Sequence, residues 1–239
     1  VTGAVVEVWL ARPAPPGPGD LERLSDAERE RFAGFARPAD AARFLTGRLL
    51  AGAAVCALAG SAAGTVRFAA DCPRCGGPHG KPRPVDFPGV QVSIAHSAGI
   101  VAVATARGVP VGIDVERIRP VPDEVAEQAL SAPEWRVLTA LARSRRASAF
   151  FTYWSRKEAV LKASGAGLAI PPRELTVSGP DARARLLAGP PGLTAGLADL
   201  SVRRGYRATV AVLSADVPTV IRRAAEDDAR TWASPATPP

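Results

Sequence analysis

Val5, Val6, Val8 and Leu10, interrupted by Glu7, follow a two-residue alternation that predicts a strand over this stretch. A Pro/Gly run over residues 13–19 ends it. In "LSDAERERFAGF" Ser25 precedes Glu28 by three residues, the spacing of a helix start in which each caps the other's backbone. A second helix is predicted over Asp40 to Leu58, its apolar side formed by Phe44, Leu45, Leu49 and Val55. "GTVRFAA" predicts a strand, "PHGKPRPVDFPG" an extended loop, and "VQVSIAHS", "IVAVATA" and "PVGIDVERI" three successive strands, the first two joined at "SAG".

From Pro122 the period changes. "PDEVAEQALS", "APEWRVLTALA" and "ASAFFTYWSRKEAVLKASG" predict helices, the last punctuated by Gly165 and Gly167. "ELTVSG", "GLADLSV" and "YRATVAVLS" return to strands. Helices followed by strands thus occur twice, without a sequence repeat. The reading is an α+β fold of two similar lobes in a pseudo-two-fold arrangement, each with a small, mainly antiparallel sheet and packed helices. The N-terminal lobe is placed at 1–108, the C-terminal lobe at 109–219 and a peripheral tail at 220–239, with the division at "RGVP". A site at the junction of the lobes is expected.

Composition changes this picture little. The chain has 239 residues, 47% of them apolar, enough for a substantial core. The excess of 30 Lys plus Arg over 23 Asp plus Glu, a net charge of +7, suits any anionic partner: nucleic acid, a phosphorylated cofactor, a membrane surface or an acidic protein. The basic residues are dispersed, without the ordered aromatic and basic strand pattern of a nucleic-acid platform, so no nucleic-acid partner is expected. The apolar "LLAGAAVCALAG" is too short to span a bilayer, no basic region precedes an apolar core at the amino terminus, and a cytoplasmic location without a membrane partner is expected. Of three cysteines, Cys56 reads as core. Cys72 and Cys75, with His79 after them, form a C-x2-C turn that is half of a zinc site, a redox pair or a pair of ordinary thiols.

The candidate chemistry sits in "VGIDVERI". In a strand Val111, Ile113 and Val115 point one way and Asp114 and Glu116 the other, so two hard oxygen anions converge without a folded loop, as a divalent cation requires. An acidic edge of an ordinary half-buried strand has the same pattern. A third carboxylate is available in "FTYWSRKEAVLKASGAGL", where Glu158 and Lys162, four apart, share a helix face beside bulky Phe150, Phe151 and Trp154.

"GIDVE" followed by "WSRKEAVLKASGAGL", with "ARFLTGRLL", "HGKPRP", "VSIAHSAG" and "LSAPEWRVL" in order, resembles the phosphopantetheinyl transferases, in particular the larger, single-chain, surfactin-synthetase-activating (Sfp-like) type. The resemblance runs from about Glu28 to Ala211. It implies transfer of the 4'-phosphopantetheine arm of coenzyme A to a carrier-protein serine, with release of adenosine 3',5'-bisphosphate. By position it implies Asp114, Glu116 and Glu158 as magnesium ligands and Lys162 on the phosphates. It also implies Glu158, directly or through water, as acceptor of the serine proton, and Arg31, Arg43, Lys81, His96 and Lys157 as contacts of coenzyme A. Asp114, Glu158 and Lys162 are then the catalytic set. The implied partners are acyl carrier proteins and peptidyl carrier domains of polyketide or nonribosomal peptide synthases, served by a monomer; Pro120 to Leu138, with Val121, Val125 and Leu130, is the expected docking segment. Where the commoner pattern has serine before the histidine this chain has Ala95, so a hydroxyl for the 3'-phosphate is missing, with Ser97 or a backbone group as substitute. The competing readings are a carrier- or coenzyme-binding protein without activity, a basic nucleic-acid binder and a metal-dependent phosphohydrolase of another fold.

Overall fold

The computed structural model describes residues 3–62, 65–72, 74–77 and 80–223. In chain order these form β1 (Val5–Ala11), α1 (Asp26–Ala33), α2 (Pro38–Ala59), β2 (Phe68–Ala69), β3 (Arg83–Pro84), β4 (Val90–Ser97), β5 (Ile100–Arg107) and β6 (Val111–Arg117). They continue with α3 (Asp123–Ala129), α4 (Ala132–Ala140), α5 (Arg143–Ser164), β7 (Thr176–Val177), β8 (Leu186–Ala188), β9 (Gly196–Asp199), β10 (Tyr206–Val212) and β11 (Thr219–Arg223).

The expected recurrence is present as topology. In the first lobe β1, β5 and β4 lie side by side in that order, antiparallel throughout, and in the second β6, β10 and β9 do the same. Each lobe places its last strand between the other two. Each also runs a helix of 22 residues, α2 or α5, between its first strand and the strand that follows. The two helices cover the outer faces of their sheets. The inner faces meet in a shared apolar layer: Val6, Val8, Ala102 and Ala104 from one lobe against Val111, Ile113, Val115 and Val210 from the other. Burying that layer holds the lobes as one body.

Local chemistry sets the boundaries. Ser25 and Glu28 form the expected reciprocal cap of α1, and at the start of α4 the amide of Ser131 donates to the Glu134 carboxylate. Pro38 occupies the first turn of α2, where its missing N–H costs no helical bond. Gly60 and Gly165 close the two long helices in the left-handed conformation, at φ 71° in each case. Although α2 is long and apolar enough to cross a membrane, its apolar side packs on β1, β4 and β5.

Some segments depart from the alternation. "GTVRFAA" contributes only Phe68–Ala69, paired with Arg83–Pro84, because prolines at 82 and 84 leave little backbone able to donate. β8 answers β7 across a turn with no apolar alternation to announce it. The expected tail starts as structure: β11 lies parallel to β1 and covers its outer edge, with Val220 directed to the inter-lobe core and Arg223 paired with Glu7 at 2.5 Å. Residues 224–239 lie outside the described residues.

Candidate active site

Gly112, Asp114 and Glu116 occupy the face of β6 that looks at α5. A Cβ at Gly112 would overlap the carbonyl oxygen of Ala159 and the amide of Ala163, so strand and helix meet backbone to backbone at this point. That close approach brings Lys162 Nζ to 2.6 Å from Asp114 Oδ1, one helical turn beyond Glu158. Asp114 is buried, and its second oxygen, Oδ2, has no partner in the protein. Glu116, half-buried, accepts a hydrogen bond from Ser97 Oγ at 2.9 Å and lies 3.5 Å from Arg119 Nη1.

The three carboxyls feel one another. Burial and then the charge of Asp114 push the Glu116 carboxyl above its ordinary range. Glu158 is likewise raised, first by burial and then by Asp114 and Glu116, with Lys162 opposing. They do not close on a point: among the described residues no three His, Cys, Asp or Glu side chains form a closed ligand set.

A cleft, about 560 Å³, runs between the lobes, with Lys81, Pro82 and Ile94 on one wall and Leu161, Lys162 and Ala166 on the other. Lys81 donates to the carbonyl of Ala163 at 2.9 Å, and burial lowers its pKa to about 8. His96 ends β4 with an edge open to solvent. Its pKa is depressed by partial burial and then by the cations of Arg43 and Lys162, which places all three in one field. Arg43 donates to the carbonyl of Ala98 at 3.2 Å and pairs with Asp40. Ala98, at φ 49°, is the one non-glycine residue with positive φ among the described residues, so the turn beside His96 is held in a costly conformation by its contacts.

Not every expected residue comes to the cleft. Lys157 is a correction: it is 0% exposed, and its ammonium lies 2.5 Å from Glu134 while donating to the carbonyls of Ala129 and Pro172, each at 3.0 Å. All three of its protons are spent in the core, and none remains for coenzyme A. Arg31 lies over the Phe44 ring at 5.2 Å, and none of its described contacts reaches the carboxylates. Ser97 is no free substitute for the missing hydroxyl, since Glu116 and the amide of Arg117 occupy it, and Ala95 points into the inter-lobe core. In the expected docking segment Leu130 is core and Val121 packs against it, whereas Val125 is 51% exposed and Val137 46%. Cys56 is buried as expected. Cys72 lines the cleft with its thiol pKa lowered, chiefly by the backbone N–H of Arg74 and then that of Cys75; His79 lies outside the described residues.

Two functional supports escape a reading of the sequence. Glu134 caps α4 through the amide of Ser131, receives the amide of Val177 at 2.8 Å and holds Lys157, tying three elements to α5. Arg156, fully buried, binds Asp199 and the carbonyls of Ser178, Gly179 and Ala182. The cap spacing of Ser131 and Glu134 was a visible signal; the burial of two adjacent cations had none.

Comparison with known proteins agrees with this geometry. Residues 110–211, from just before β6 to the end of β10, match the model of the 4'-phosphopantetheinyl transferase superfamily. The chain is 29% identical over 160 residues to the 4'-phosphopantetheinyl transferase Sfp of Bacillus subtilis (strain 168), covering 62% of this chain and 68% of that protein. A second Bacillus subtilis 4'-phosphopantetheinyl transferase is 29% identical over 166 residues, 69% of this chain and 71% of that one. The 4'-phosphopantetheinyl transferase gsp of Aneurinibacillus migulanus is 40% identical over 93 residues, 39% of this chain and 38% of its own. With two lobes on one chain and the matched region centred on the β6–α5 contact, the chain is similar to the 4'-phosphopantetheinyl transferase superfamily and, over its wider length, to the Sfp protein.

Proposed function

We propose that this chain transfers the 4'-phosphopantetheine group of coenzyme A to a serine hydroxyl of acyl or peptidyl carrier proteins and releases adenosine 3',5'-bisphosphate. The carrying observation is the grouping of Asp114, Glu116 and Glu158 around Lys162, which pairs with Asp114 and lines a cleft whose other wall bears Lys81. In the transfer, the serine oxygen bonds to the phosphorus that carries the pantetheine arm as the bond from that phosphorus to the bisphosphate oxygen breaks.

The residues fit a hard divalent cation. Asp114 keeps a buried oxygen without a partner, and its charge helps to raise the pKa of Glu116 and of Glu158, a repulsion that a cation relieves. Asp114, Glu116 and Glu158 would hold magnesium, which when bound neutralises charge on the pyrophosphate. Lys162, beside Asp114 and in the cleft wall, adds a cation where charge grows on the departing phosphate. Arg43 and His96 supply the phosphate grip at the end of β4, and Lys81 does so at the opposite side. Glu158 takes the serine proton directly or through a water; burial raises its basicity toward the working pH.

For the carrier, a groove of about 420 Å³ is lined by the apolar Val121, Ala126, Leu138 and Phe150 and by Arg143 and Arg146 with Asp123, so that two cations face one carboxylate at its rim. An acidic carrier helix suits that rim, and the net charge of +7 favours its approach. We assign the chain as a monomer serving polyketide or nonribosomal peptide synthases in the cytoplasm. Incubation with coenzyme A, magnesium and purified acyl, aryl and peptidyl carrier domains, followed by intact mass spectrometry, tests the reading. A phosphopantetheine mass gain on the carrier serine is expected. No gain on any carrier would overturn the transfer and leave a binding protein.

A further inference from the structure

Strand β6 is the edge of its sheet. It pairs with β10 through the backbone of residues 112, 114 and 116, a series that Ile118 extends by donating to the carbonyl of Gly205 at 2.8 Å. The amides of Ile113, Val115 and Arg117 therefore point the other way, onto the face of β4. There the amide of Ile113 donates to Ser93 Oγ and that of Arg117 to Ser97 Oγ, each at 3.1 Å. Side chains on one face of a strand recur every two residues, so Ser93, Ala95 and Ser97 stand against 113, 115 and 117 in register. Two rungs carry hydroxyls; the middle one is a methyl, facing the amide of a residue that is buried.

The last rung does more than the first. Having accepted from Arg117, the Ser97 hydroxyl donates its own proton to Glu116 Oε2 at 2.9 Å, so one oxygen joins the strand that ends in His96 and Ser97 to a carboxylate in the field of Asp114. We infer that the seryl rungs of β4 set the register of β6 between the lobes and that Ser97 is a positioning residue for Glu116, holding that carboxylate for a divalent cation. Resting on the function proposed above, this adds that the N-terminal lobe orients a metal ligand of the C-terminal one. Ser93 makes the same backbone contact but touches no carboxylate, which supplies an internal control.

Direct titration with Mn2+, in the presence of coenzyme A and without a carrier, reads the difference, with melting temperature measured alongside. Ser97→Ala is expected to weaken Mn2+ binding by about tenfold, as loss of an outer hydrogen bond to a ligand commonly does. Ser97→Thr, which keeps the hydroxyl, should restore it. Ser93→Ala should lower the melting temperature by as much as Ser97→Ala and leave Mn2+ binding unchanged. Ala95→Ser should raise the melting temperature by about 2–4 °C, as a third hydroxyl meets the amide of Val115. Unchanged Mn2+ binding in Ser97→Ala, or equal weakening in Ser93→Ala, would overturn the positioning role, and a lower melting temperature in Ala95→Ser would overturn the ladder. If Asp114→Ala still loses Mn2+ in that case, the proposed function stands without the inference; a wild-type protein that binds no Mn2+ removes the metal assignment itself.

Discussion

Each lobe begins with a strand that turns a buried carboxylate toward its long helix, opposite a threonine of the neighbouring strand: Glu7 against Thr105 in the first lobe, Asp114 against Thr209 in the second. Each carboxylate has one cation and one oxygen without a partner. Arg223 of β11 serves Glu7 at 2.5 Å, and Lys162 of α5 serves Asp114 at 2.6 Å. The surroundings differ. Around Glu7 the helix presents Ala51, Ala54 and Val55, and the sheet presents Trp9 and Val103. Around Asp114 stand Glu116 and Glu158, and its partner Lys162 lines an open cleft. A buried ion pair is therefore shared by both halves of the fold, and what separates a site from a structural pair is the further carboxylates and the access of a ligand.

The sharpest way to break this comparison is to remove both carboxylates in turn. Asp114→Ala should lower kcat/KM about 100-fold or more, since losing a ligand removes on the order of 3 kcal/mol of charge stabilisation. Glu7→Ala should leave turnover within about twofold while lowering the melting temperature. Turnover lost equally in a folded Glu7→Ala protein would make the two lobes functionally alike.

Two lysines of α5 sharpen it next. Lys157→Met strands Glu134 as an uncompensated buried charge, and urea denaturation should show about 3–5 kcal/mol of lost stability. Lys162→Met should retain most of the stability and lose turnover instead, because its ammonium is partly exposed to the cleft. Glu116→Ala should cost about tenfold in activity, less than Asp114→Ala, as water can take the place of this more exposed ligand. Steady-state transfer to one purified carrier ranks the three.

The smallest effect is in pH. Lys81 has a folded pKa of about 8 against 10.5 when solvated, so the folded chain releases this proton first. Between those values the unfolded chain binds more protons, and this group makes folding more favourable as pH rises. Its grip on a phosphate changes in the opposite sense. The KM for coenzyme A should rise severalfold above pH 8, and Lys81→Arg, which keeps its charge, should flatten the rise; a slope unchanged in Lys81→Arg would remove Lys81 from the phosphate grip.

The legible parts were those in which local period and function coincide. The alternation of "VGIDVERI" put valine and carboxylate on opposite faces, and the four-residue spacing of Glu158 and Lys162 put both on one side of α5; the folded chain keeps both arrangements. Lys157, one residue from Glu158, was not legible. A helix turns about 100° per residue, and whether that direction meets solvent, ligand or Glu134 depends on a helix distant in sequence. Ser97 shows the same limit, since its role needs β6 laid against β4, which neither strand specifies alone.

By itself, then, the amino-acid order determined the elements, the recurrence of two lobes and the residue types that the chemistry needs, because periodicity and capping act over a few residues. Only the tertiary structure decided which cations are spent in the core and which face the cleft, and that β11 returns to close the first sheet. It also decided that Gly112 admits α5 to backbone contact with β6. These outcomes depend on burial and on contacts between distant segments, where the cost of desolvating a charge selects its partner, and no local pattern carries that cost.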